Sequence, residues 1–291
     1  MSLTPRVVVI HRRTELEELV ARHGTRQQAA FFLRTRGRGL DEVEARHAAQ
    51  HDALTVVAGA IPLDWRRGRV ERGDLARFMF GPEDLVVAVG QDGLVANVAK
   101  YLDGQPVIGV NPEPGRNAGV LVTHPPAAVG DLLAAPRTQP RTMVRAVTDD
   151  GQALLALNEI YIGHPSHQSA RYRISPPAGG TERQSSSGIL VGTGTGSTGW
   201  CRSVWLERHS TLELPAPAQA GLCWFVREAW PSPATGVDLT EGTLDADQGL
   251  VVVAESDLVL FGDGIESDAL SLTWGQGVTL SVSDRPLQLV A

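Results

Sequence analysis

Short apolar runs alternate with polar, amphipathic stretches over the first third of the chain. Residues 7–10 are a β-branched run that predicts a buried strand. Residues 16–50 interleave charges of both signs around Leu19, Val20, Ala29, Phe31 and Phe32, a helical pattern that Gly37-Arg38-Gly39 divides. Residues 54–58 predict a second strand, and residues 85–89 a third that runs straight into Gly90. Residues 94–102 show helical spacing, and residues 107–110 read as another strand. Strands alternating with helices predict an α/β unit with a mostly parallel sheet. Ligands bind such sheets at the carboxyl ends of the strands.

After about Pro125 the texture changes. Residues 141–148, 154–162, 170–175, 188–191, 221–225, 250–255, 258–261, 269–273 and 278–282 all read as short strands. Turns of Gly, Pro, Asp and Ser separate most of them, and residues 178–180 and 185–187 read as turns. The clear helix in this half is 198–208. The pattern predicts an α/β domain over residues 1–125 and a β-rich domain over 126–291, parted at Pro125-Pro126. The last strand is free to return to the first domain.

Composition narrows the function. A formal net charge of -7 argues against broad nucleic-acid or anionic-membrane binding. Lys100 is the only lysine, so a G-x-x-x-x-G-K-[ST] phosphate loop is excluded, and any phosphate clamp must use arginine, backbone or metal. Two cysteines, Cys201 and Cys223, are too few for a disulfide scaffold or a four-cysteine zinc site. The reading is a reduced, cytoplasmic protein. Residues 1–6 lead into the first strand with no apolar signal-peptide core, and no stretch approaches the ~20 apolar residues of a membrane span.

Four short motifs carry the candidate chemistry. Gly90-Gln91-Asp92-Gly93 stands between a strand and a helix. It reads either as a phosphate-binding turn at a helix N-terminus or as a plain Asp-Gly turn with Asp92 as a cap. In the first case Asp92 serves as general base toward a hydroxyl, or organises Mg²⁺. Asn158-Glu159 is either a pair that reads a nucleotide edge or a solvated strand position. Residues 192–199 alternate glycine with hydroxyl residues before a helix, and suit either a nucleotide or a flexible loop. Gly194-x-Gly196-x-x-Gly199 also fits a dinucleotide fingerprint, which makes a dehydrogenase a competitor, but it lies deep in β-rich texture. Gly262-Asp263-Gly264 reads as a plain hairpin turn. His47 and His51 have metal-ligand spacing, but Ala48 replaces the glutamate of H-E-x-x-H, so they read as a solvated helix face. Trp200 is placed either for the core or for stacking on a cofactor. No G-x-S-x-G anchors a hydrolase triad.

In order and spacing these motifs resemble the NAD kinase family, which carries G-G-D-G, then N-E, then a T-x-G-S-T-A-Y-like loop. The mitochondrial-type branch is the most similar, through residues 106–116, 156–163, 186–188, 192–197 and 225–228. The resemblance runs from about Arg6 to Val290. It implies a Rossmann-like parallel sheet in the first domain and a β-rich second domain, as in the NAD kinase/diacylglycerol kinase-like fold. It also implies ATP with Mg²⁺ or another divalent cation, NAD as substrate, and a homodimer or higher homo-oligomer.

By the resemblance Asp92 matches the catalytic aspartate, which takes the proton of the ribose 2′-hydroxyl of NAD. Gly90, Gln91 and Gly93 match the segment that meets the ATP phosphates. Asn158 and Glu159 match the pair that holds the NAD nucleotide, and Thr195, Ser197 and Thr198 match the loop lining that site. Asn111, Thr193, Gly196 and Trp200 fall in or beside the matched segments and are counted with them. Arg116 and Arg227 are candidates for phosphate contacts, since arginine's fork suits phosphate oxygens. Gln91 stands where the family has its second glycine, and a side chain there is expected to crowd the phosphate or restrict the backbone. Ser187 replaces an aspartate of many bacterial members, and Trp200 a tyrosine. The expected function is ATP-dependent phosphorylation of NAD(H) to NADP(H). The alternatives are a nucleotide-binding regulator weakened by Gln91, and a lipid or sugar kinase of the same superfamily.

Overall fold

The computed structural model of the chain describes residues 4–116 and 119–291. One compact unit runs to Gln139 and takes in Gln288–Ala291; the other is Pro140–Leu287.

In the first unit, strand β1 (Arg6–His11) leads to helices α1 (Glu15–His23), α2 (Arg26–Arg34) and α3 (Leu40–Ala60). Thr14 starts α1 through a reciprocal capping box: its hydroxyl accepts from Glu17 N, and the Glu17 carboxylate accepts from Thr14 N at 2.7 Å. Residues 54–58, expected as a strand, lie inside α3, with Leu54 and Val57 buried and Val56 exposed. No turn residue precedes that β-branched run, so a helix already begun at Leu40 propagates through it until Pro62 follows. The strand in its place is β2 (Arg66–Glu71), a polar edge strand anchored by buried Val70. Then come β3 (Asp84–Val89), α4 (Asp92–Ala99), β4 (Pro106–Val110), α5 (Val129–Ala134) and β5 (Thr138–Arg141). Val129 and Leu133 of α5 are buried in one cluster with Val7, Val57, Val87 and Ile108. Residues 126–139 therefore belong with the α/β unit, and the boundary falls later than the expected 125/126.

The second unit holds β6 (Val144–Thr148), β7 (Ala153–Ala156), β8 (Glu159–Gly163), β9 (Ala170–Ser175), β10 (Glu182–Ser186) and β11 (Ile189–Gly192). After α6 (Trp200–Glu207) it continues with β12 (Gly221–Val226), β13 (Glu241–Asp245), β14 (Gly249–Ala254), β15 (Leu258–Gly262), β16 (Ile265–Leu272) and β17 (Gly277–Val282). Two six-stranded sheets, ordered β10-β9-β14-β17-β6-β7 and β13-β12-β11-β8-β15-β16, share one core cluster. Alternating burial in β9 and β14 gives each its inward row. Strand β12 is buried throughout because α6 covers its outer side, with Cys201 and Val204 packed on Cys223 and Phe225. The expected runs 141–148 and 154–162 are each broken, the second at Leu157-Asn158. Residues 185 and 186, expected in a turn, end β10, where buried Ser186 and Gln184 meet the Tyr172 hydroxyl.

The last strand, β18 (Leu287–Val290), pairs parallel to β4, and the first sheet has the order β2-β1-β3-β4-β18-β5. Its Val290 is buried in the α/β core. Strands β1, β2, β3, β4 and β18 pair with their neighbours among one another in parallel.

Candidate functional site

The expected site residues fall into two groups, one in each unit. In the α/β unit, parallel strands end side by side. Strand β1 runs into Arg12-Arg13-Thr14, β3 into Gly90 and β4 into Asn111. The chain passes outward from β1 to β2 and the opposite way from β3 to β4, so the strand order reverses between β1 and β3. Doubly wound sheets take their ligands at that switch point. A cavity of about 430 Å³ lies there, lined by Arg12, Arg13, Thr14, Gln50, Gly90 and Gln91 among others. A second of about 360 Å³ is lined by Gly90, Gln91, Asp92, Gly93, Asn111 and Gly119 among others. The Gly90 turn is fastened from two sides. Gly90 N donates to Val110 O at 3.0 Å, and the Gln50 side chain reaches from α3 to Val89 O at 2.9 Å.

Asp92 is the first residue of α4. Its Oδ1 accepts from Leu121 N at 2.8 Å and Val122 N at 2.9 Å, and its Oδ2 from Val120 N at 2.9 Å. The carboxylate thus holds the 120–122 segment, which also packs on β4 where a Cβ on Gly109 would sit 2.0 Å from Leu121 O. A carboxylate has about four lone-pair positions, so Oδ2 keeps one acceptor direction beyond these bonds. Gln91 is exposed, with φ -103° and ψ 165°. Those are ordinary extended angles that any residue adopts, so of the two effects expected of Gln91 the backbone restriction does not arise. A Cβ on Gly93 would meet nothing within 4 Å, which leaves the start of α4 open.

Of the two expected phosphate-binding arginines, Arg116 is exposed and ion-paired with Glu42 of α3. The cations lining the larger cavity are Arg12, Arg13 and Arg46 instead. Sequence reasoning passed over the first two, although an Arg-Arg pair directly after a first parallel strand is a readable signal.

In the β-rich unit, Asn158 and Glu159 sit at the break between β7 and β8. Asp263 is more than a turn residue. Its Oδ1 accepts from Asn158 N at 2.7 Å and its Oδ2 from Leu157 N at 2.9 Å, while its own N donates to Glu159 O at 3.1 Å. Burial pushes the Glu159 carboxyl up to about 7, and the neighbouring Asp263 charge adds to the shift. Near neutrality Glu159 is therefore present in both a donor and an acceptor form.

The loop after β11 is a packed turn rather than an open cradle. Thr193 N donates to Asn158 O at 2.9 Å, and the Thr193 hydroxyl to Leu157 O at 2.6 Å. That hydroxyl also accepts from Thr195 N and Gly196 N, and the Ser197 hydroxyl donates back to Thr193 O at 3.0 Å. A Cβ on Gly194 would lie 2.1 Å from Ala216 O, and one on Gly196 2.1 Å from Asn158 O. These glycines are needed for backbone to approach backbone, not to make room for a ligand as expected. Thr198 is exposed, and its hydroxyl donates to Thr195 O at 2.8 Å. The Thr195 hydroxyl is buried and has no hydrogen-bond partner among the described residues. An orphaned buried hydroxyl costs about 1–3 kcal/mol unless a ligand satisfies it. Trp200 stacks on Tyr161 at 5.6 Å between ring centroids, and the Arg227 guanidinium lies 5.3 Å from the Trp200 ring. Trp200 is thus part of the packing, and Arg227 has Glu228 at 3.7 Å as its ion partner.

The chain thus combines an α/β unit, with a cavity at its sheet's switch point, and a β-rich unit of antiparallel sheets. No protein-family model matches it, and no curated protein matches it significantly. No helix among the described residues is long and apolar enough to cross a membrane.

Proposed function

We propose that the protein is a kinase of the NAD kinase type, transferring the terminal phosphoryl group of ATP to the 2′-hydroxyl of the adenosine ribose of NAD. The observation that carries this reading is the carboxylate of Asp92 at the open start of α4, beside cavities at the carboxyl ends of parallel strands. The start of a helix favours an anion, and glycines at 90 and 93 keep side chains away from it. The donor set fits a nucleoside triphosphate. Arg12 and Arg13 supply charge in a chain with one lysine, and the Gln91–Gly93 backbone supplies N–H groups. Mg²⁺, when bound with ATP, neutralises charge on the phosphates.

In this account the free acceptor direction on Asp92 Oδ2 takes the 2′-hydroxyl proton. The hydroxyl oxygen bonds to phosphorus as the bond to ADP breaks, giving NADP and ADP. Asn158 and Glu159 hold the NAD nucleotide, and the buried Thr195 hydroxyl gains the partner it lacks. The NAD kinase/diacylglycerol kinase-like fold and a homo-oligomeric state belong to the same proposal.

Asp92→Asn tests it. The variant loses a general base but keeps one oxygen for the 120–122 amides. Turnover is expected to fall about 10²–10⁴-fold with NAD affinity, measured by calorimetry, nearly unchanged. Turnover retained in the variant would overturn the role of Asp92. A second reading is a nucleotide-binding protein without turnover, favoured by the three hydrogen bonds that Asp92 already accepts. It predicts NAD binding with no phosphoryl transfer in either protein.

A further inference from the structure

Helices α1 and α3 carry a cluster that the proposed chemistry does not use. His47 and His51 stand one turn apart on α3, with ring centroids 4.2 Å apart. Glu17 faces them from α1, its Oε1 3.4 Å from His51 Nε2. One nitrogen of each ring and one Glu17 oxygen all lie within 4.8 Å of one another. Tetrahedral zinc, with bonds of about 2.1 Å, needs ligand atoms about 3.4 Å apart. The Glu17–His51 pair already has that spacing, and His47 lies within 4.8 Å of both.

The supporting shell is also in place. Thr14 N donates to Glu17 Oε2 at 2.7 Å, and the Thr14 hydroxyl donates to the same oxygen at 3.2 Å. These bonds fix the carboxylate and leave Oε1 toward the rings. The Thr14 hydroxyl also lies 2.8 Å from His47 Nδ1, a contact that holds the plane of that ring and leaves Nε2 on its far side. Metal-ligating histidines are commonly oriented in this way, by a partner on the other ring nitrogen. The sequence reading of His47 and His51 as a solvated face omitted Glu17, which only the packing of α1 on α3 brings to them.

We propose that Glu17, His47 and His51 bind one divalent transition ion of the zinc class, with water completing its coordination. Two imidazoles and one carboxylate suit zinc-like ions and not Mg²⁺, which prefers oxygen ligands throughout. The ion would pin α1 to α3 and steady Thr14, which lines the larger cavity. This site is independent of the phosphoryl-transfer reading, since none of its ligands takes part in that chemistry.

The test is calorimetry with ZnCl₂ on untagged protein stripped by chelator, alongside melting temperature with and without zinc. The expected result is one zinc per chain, a zinc-dependent rise in melting temperature, and no competition from excess Mg²⁺. The double variant His47→Ala, His51→Ala is expected to lose both effects while melting like the parent protein without zinc. Thr14→Ala, which removes support but no ligand, is expected to weaken zinc affinity about 10-fold. Absence of zinc binding at micromolar concentrations would overturn the proposal. So would binding that the double variant retains, because it would place the ion on other surface histidines.

Discussion

At the scale of single residues, two carboxylates among the candidate residues, one in each unit, differ in what surrounds them. Asp92 is met by three backbone N–H groups and holds a segment of chain. Glu159 is half-buried, with Asp263 nearby, and titrates at about 7. A raised carboxyl value has a definite sign. Between the ordinary 4.5 and about 7 the folded chain keeps a proton that the unfolded chain has lost, so stability falls as pH rises through that window. Glu159→Gln removes this dependence. At pH 8 the variant is expected to be more stable than the parent by on the order of 2 kcal/mol, with little difference at pH 4. Urea denaturation at the two pH values measures it, and parallel pH profiles for the two proteins would contradict it. The same titration leaves Glu159 able either to donate to or to accept from a nucleotide hydroxyl near neutral pH.

At the scale of elements, the glycine loop after β11 is where sequence and structure part most instructively. Its glycines and hydroxyls were legible, but their purpose was not, because nothing local shows that Asn158 and Ala216 press against the loop backbone. Gly196→Ala is expected to cost about 1–3 kcal/mol, the range for overpacking a filled site. Thermal denaturation checks it, and a variant as stable as the parent would mean that the loop is open after all. The apolar runs that became β1, β3, β4, β9, β12 and β14 were readable because burial on one or both faces leaves its mark in the sequence. Polar β2, β10 and β13 were not, since their hydrogen bonds are set by neighbours rather than by their own side chains. The run 54–58 misled because β-branched residues also pack on the buried side of a long helix, and α3 had begun fourteen residues earlier, at Leu40. The role of Asp263 beyond its turn, and the place of Glu17 beside the histidines, escaped notice for a related reason. Each acts on residues far away in the chain, Asn158 in one case and His51 in the other.

At the scale of the whole molecule, the sheet of the α/β unit is completed by the last residues of the chain. Strand β18 pairs with the start of β4, at Pro106 and Val107, and buries Val290 in the core of that unit. The interval between β5 and β18 holds the β-rich unit, with Asn158, Glu159 and the Thr193–Ser197 loop. Ordered motifs spread over most of the chain are what carried the resemblance. The most direct measurement is product formation by the purified protein from NAD, ATP and Mg²⁺, with NADP and ADP quantified together. The account predicts NADP and ADP in equal amounts, formed by the parent protein and lost in Asp92→Asn. ADP released without NADP, or NADP formed equally well by the variant, would contradict it.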